Sequence, residues 1–101
     1  MFARLILASA AFVATAASAQ TADVKVFDKE VNRGKGQVYY RVEFGTKAKR
    51  PAEGSISTMC KGLDTEGAKK FVVFVHYAGD QNSAYATCER MLGQDLKVKA
   101  F

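Results

Sequence analysis

The sequence predicts a small α+β domain: an antiparallel sheet of about five strands with one short helix packed on one face and a single disulfide. Three observations predict it. The run Lys69–Tyr77, KKFVVFVHY, is a short apolar stretch of β-branched and aromatic side chains, interrupted only by His76 after its lysine pair. Such a run reads as a central strand buried on both faces. In Gln37–Phe44, QVYYRVEF, the residues Val38, Tyr40, Val42 and Phe44 alternate with Tyr39, Arg41 and Glu43, which is the period of a strand with two different faces. Ile56, Met59, Cys60 and Leu63 recur at i, i+3, i+4 and i+7, the spacing of one helix face.

The chain before these elements reads as an export signal. Met1–Arg4 is a short basic start, Leu5–Ala17 is uncharged and alanine-rich, and Ala17-Ser18-Ala19 is a small-x-small cleavage site. The apolar run falls short of the roughly 20 residues of a membrane span, and no cysteine follows the cleavage site to accept a lipid. The leader is of bacterial type, so the expected destination is the periplasm or the medium. Cleavage after Ala19 leaves a single domain, Gln20–Phe101, of 82 residues with 14 Lys and Arg against 10 Asp and Glu.

Within that domain, Asp23–Val31 alternates as a first strand, and Asn32–Gly36 supplies the turn of a hairpin to Gln37–Phe44. Gly45–Gly54 is a connector; its Pro51 forbids helix before it, so Ser55 is the expected N-cap of a helix over Ser55–Leu63, against an extended alternative for Gly54–Cys60. Asp64–Ala68 is a turn into the central strand, and Ala78–Ser83 a loop out of it. Ala84–Met91 places Ala84, Ala86 and Cys88 on one face. Leu96–Phe101 alternates as a last strand whose two lysines suit an edge.

An exported chain with two cysteines is expected to join them, Cys60 to Cys88, and a core this small needs the staple. The helix and strand periodicities independently put both sulfurs in one layer. An intermolecular bridge stays open on the sequence alone.

No stretch carries a catalytic motif, so the expected class is an exported binding or interaction module and not an enzyme. The face of the sheet without a helix is expected to expose aromatics, with Phe27 among them, and Tyr39, Arg41, Tyr77 and Tyr85 are the candidate interaction surface. The partner is expected to be another protein or a second copy of the chain. Lys47, Lys49 and Arg50, with Arg33 and Lys35 as further members, form a candidate patch for an anionic envelope surface, against the alternative of an ordinary solvated loop. Nucleic acid is not an expected partner outside the cytoplasm.

His76, the only histidine, carries the competing reading of a small hydrolase, with Asp80, Ser83 and Glu89 near it in sequence. His76, Cys60 and Cys88, with Met59 and Met91 nearby, also make the ligand types of a soft-metal site. No Cys-x-x-Cys, second histidine or haem motif supports that site, so neither metal nor cofactor is expected. The terminal Phe101 is shared with outer-membrane barrel chains, but the domain is too short for eight spanning strands.

Overall fold

The structure, a computed structural model, describes residues 24–101. The expected leader and its cleavage site lie outside these residues. Among the described residues no helix is long and apolar enough to cross a membrane.

Five strands and one helix follow in the order β1 (Val24–Asn32), β2 (Gln37–Phe44), α1 (Glu53–Leu63), β3 (Lys70–His76), β4 (Ala84–Met91) and β5 (Lys97–Ala100). They form one sheet whose spatial order is the chain order, with β3 at its centre. The α+β class, the five strands, the single helix and the Cys60–Cys88 bridge are as the sequence predicts.

One pairing differs. β2 and β3 run parallel, so the sheet is mixed and not antiparallel throughout. The reason is the length of segment 45–69. A parallel neighbour needs a crossover, and α1 runs the chain back along the sheet to the end where β2 began. The other three pairs are antiparallel.

The helix begins at Glu53, two residues before the expected start. Pro51 blocks helix before it, and Ala52, with ψ at 155°, is the extended cap whose carbonyl accepts from the N–H groups of Ser55 and Ile56. Ser55 therefore sits inside the first turn and caps nothing. Glu53 places a negative charge at the helix start, where the dipole favours it. Thr58 is accommodated mid-helix by donating its hydroxyl to the Gly54 carbonyl.

Register sorts the side chains onto two faces. Val38, Tyr40 and Val42 of β2 lie beside Phe71, Val73 and Val75 of β3, and Val73 and Val75 lie beside Cys88 and Ala86 of β4. All of these are buried, and with Ile56 and Cys60 of α1 they make the core. The opposite face carries Tyr39, Arg41 and Glu43 beside Val72, Phe74 and His76.

Two ties hold α1 over β4. Cys60 and Cys88, both fully buried, are bridged, and Arg90 forks onto Asp64 at the helix C-cap. The spacings match. Cys60 and Asp64 are four residues apart on a helix, about 6 Å, and Cys88 and Arg90 are two apart on a strand, about 6.7 Å.

The bridge also draws α1 toward β4 and β5, which it contacts, and away from β1. Consequently the helix-side surface of β1 and the end of β2 stays uncovered.

One glycine is obligatory. Gly45 leaves β2 at φ 82°, and a Cβ there would lie 2.3 Å from Pro51 Cγ. The chain turns here against Tyr85, whose hydroxyl donates to the Phe44 carbonyl at 2.6 Å.

Candidate functional site

The offset of α1 leaves an open groove beside β1. Its volume is about 690 Å³. The floor is Val24 and Val26 of β1 with Phe44 of β2, and the wall is the flank of α1 formed by Gly54, Ser55, Thr58, Met59, Gly62 and Leu63. Among the described residues no charged side chain lines it. Its size lies in the range of small-ligand pockets, roughly 300–1,000 Å³.

The two helical glycines bear on what the groove is for. Gly54 is the second residue of α1 and Gly62 the second from its end. A Cβ at Gly54 or Gly62 would meet nothing within 4 Å among the described residues, so their packing does not demand either glycine. They leave the helix backbone bare toward the groove.

The expected aromatic surface is divided between two places. Tyr39 and Arg41 lie on the helix-free face, where the Arg41 guanidinium sits over the Phe74 ring and the two side chains border a shallow hollow with Asp28 and Glu30. Tyr77 and Tyr85 are elsewhere. Their rings stack 3.9 Å apart and nearly parallel, and Tyr85 is buried in the core. The cause is a bulge in β4. Val75 pairs with Ala86 but His76 with Ala84, so Tyr85 is the extra residue and turns inward. Phe27 does lie on the helix-free face, edge-on to the His76 ring.

Burial pushes the Tyr85 phenol up to about 12, helped by Tyr77 and opposed by Arg50, whose guanidinium covers the ring. The unfolded chain would therefore ionise this phenol first. Its contribution to stability is complete below about pH 10 and declines as the pH rises toward 12. A spectrophotometric titration is expected to show one of the four tyrosines resisting ionisation until the alkaline unfolding transition. Tyr85→Phe should abolish that lag and cost about 1 kcal/mol for the lost hydroxyl bond. Four tyrosines titrating together would contradict it.

The basic residues do not form one patch. Lys47, Lys49 and Arg50 lie in the loop after β2, whereas Arg33 and Lys35 lie in the hairpin before it, roughly 25 Å away by strand length. Arg50 also has structural work, donating to the Phe101 carbonyl at 3.0 Å.

The proposed metal set is likewise not brought together. Cys60 and Cys88 are in the disulfide on the helix side of the sheet, and His76 is on the other side. Among the described residues no group of three His, Cys, Asp or Glu side chains could hold a metal ion.

Nor do the hydrolase candidates assemble. His76 is 1% exposed, and its Nδ1 lies 3.1 Å from the Asp80 backbone carbonyl, not from the Asp80 carboxylate. Glu89 is at the far end of β4 beside Val72 and Lys70, and Ser83 is an exposed loop residue. The neighbour of His76 in register is Glu43, whose carboxylate accepts from Gly79 N–H at 3.2 Å and Gln81 Nε2 at 2.6 Å. These bonds, led by Gln81, hold the Glu43 carboxyl below its usual range.

The groove residues escaped sequence reasoning because a groove is a place where something is missing. Two signals were present. Gly54 and Gly62 bracket the predicted helix face, where they read as the end of the connector and a limit on helix length, and Val24, Val26 and Phe44 are more apolar surface than one short helix can cover. The chain matches no protein family, no curated protein and no solved structure in the three comparisons made.

Proposed function

We propose that this chain is an exported binding module that takes the aliphatic tail of an amphiphile into the groove between α1 and β1. The observation that carries this reading is the open, uncharged groove of about 690 Å³ walled by the bare backbone flank at Gly54 and Gly62. A slender apolar chain gains there what the domain alone leaves unmade: contact with Val24, Val26, Phe44, Met59 and Leu63. Because no ionised group among the described residues lines the groove, the charged or polar head of the guest stays in water.

Export is supported by the leader read in the sequence, and the buried disulfide is consistent with an oxidising compartment. The periplasm or the medium is the proposed location.

The test uses an undecanoic acid carrying a dansyl reporter, titrated into the mature, disulfide-intact protein. Saturable enhancement of the dansyl emission is the expected result. Gly62→Leu then decides the site. Its side chain enters open space on the groove flank and replaces glycine with a better helix former, so folding should hold while probe affinity falls at least about tenfold. No saturable binding by the parent protein, or undiminished binding by the variant, would sink the proposal.

A further inference from the structure

The two edges of the sheet are not alike. β5 is only four residues long, and that shortness is the ordinary protection of an edge. β1 is nine residues long, and among the described residues no strand lies against its outer side. Val26 and Val31 are 43% and 38% exposed along it. Lys25, Lys29 and the bulge guard this edge against indiscriminate pairing, so it accepts a strand only in a register that matches its charges and its bulge.

We propose that β1 is the interface of a homodimer, in which the β1 strands of two copies pair antiparallel about a two-fold axis between Phe27 and Asp28. This goes beyond the groove reading and stands without it, because it rests on the strand edge and not on the guest.

The bulge in β1 selects that axis. Val26 pairs with Val42 and Asp28 with Arg41, so Phe27 is the extra residue. Phe27 reaches the His76 ring and Asp28 borders the hollow with Arg41 and Phe74, so two consecutive residues lie on the helix-free face. Alternation then runs symmetrically outward from the 27–28 bond. Val26 and Lys29 are on the helix side, Lys25 and Glu30 on the helix-free side, Val24 and Val31 on the helix side again. An axis at this bond sets every one of these residues opposite a residue of the second copy that shares its face. An axis centred on a single residue cannot do so across the bulge.

Charge agrees with the same register. Lys25 of each copy falls opposite Glu30 of the other, twice over, and Val24 falls opposite Val31. Centring on Asp28, Lys29 or Glu30 would instead face a charge with its own copy, which is unfavourable. The axis stands normal to the sheet, so both helices lie on one side and the two grooves meet as a single trough floored by both β1 strands.

The test is sedimentation equilibrium of the mature, disulfide-intact protein over a wide concentration range, joined to zero-length carbodiimide cross-linking. A reversible dimer is expected, with an amide between Lys25 and Glu30 of different copies found by peptide mass mapping. Glu30 is exposed and its side chain makes no hydrogen bond or ion pair among the described residues, so Glu30→Lys should fold alike by circular dichroism. That variant should weaken the dimer by roughly a hundredfold, because two like-charge contacts replace two opposite ones. A protein that sediments as a monomer throughout overturns the proposal. So does a dimer that ignores Glu30→Lys, or one cross-linked only through other residues. The dansyl titration is scored separately, so failure of the dimer and failure of the groove are told apart.

Discussion

Replacing Cys60 and Cys88 together by alanine is expected to lower the stability of the domain by about 3–4 kcal/mol. The bridge closes a loop of 28 residues, for which the chain-entropy argument gives a value in that range. Domains of this length have total stabilities of only about 4–12 kcal/mol. The loss is therefore a large share of the whole, and the thermal midpoint should fall by roughly 12–30 °C. Both half-cystines are fully buried between α1 and β4, so two alanines also leave unfilled space in the core. The loss should not be uniform. Amide exchange is expected to rise first across Glu53–Leu63, because α1 otherwise depends on Ile56 and on the Asp64 tie, while the β3 amides stay protected until global unfolding. Calorimetry with and without reductant, followed by exchange mass spectrometry, measures both parts. A midpoint shift of a few degrees, or β3 exchanging together with α1, would show that the bridge does not anchor the helix.

What could be read from the sequence divides by the range of the interactions concerned. β2 is observed over Gln37–Phe44 with the two faces its alternation predicts, since a period of two is a local property. The disulfide was legible because the helical and strand periods each placed one cysteine on an inward face. The direction of β3 relative to β2 was not legible in either strand. It depends on where the crossover delivers the chain, and the sequence of β3 is equally suited to both directions. Tyr85 shows a second kind of limit. Alternation from Ala84 puts it opposite Cys88, and one inserted residue at the bulge reverses that. The groove lies furthest from the sequence, because it depends on the lateral position of α1, and that position is set jointly by the bridge and by Arg90.

Arg90→Ala is the second large effect, expected at about 2–4 kcal/mol. The guanidinium donates through Nε and one terminal nitrogen to the two Asp64 oxygens, and that nitrogen also donates to the Ala68 carbonyl at 2.8 Å. Both side chains are mostly buried, at 16% and 17% exposure, so the pair lies well away from the weak, screened regime of surface ion pairs. Deleting one partner leaves the Asp64 carboxylate half-desolvated without its cation and the Ala68 carbonyl without its donor. Arg90→Lys keeps the charge but not the fork, and should recover less than half of the loss. A double-mutant cycle with Asp64→Ala separates the pair from its surroundings. The coupling should be about 1–3 kcal/mol, because each single change already removes the shared contact. The same variant bears on the groove. With Arg90 gone, the C-terminal end of α1 keeps the Cys60 bridge one turn away and the apolar packing of Leu63 but loses its polar tie, and is freer to settle toward β1. Arg90→Ala is therefore expected to weaken dansyl-undecanoate binding although Arg90 does not line the groove, and Arg90→Lys should restore part of it. Additive energies within about 0.5 kcal/mol, with unaltered probe affinity, would mean that Arg90 does not hold the helix in place.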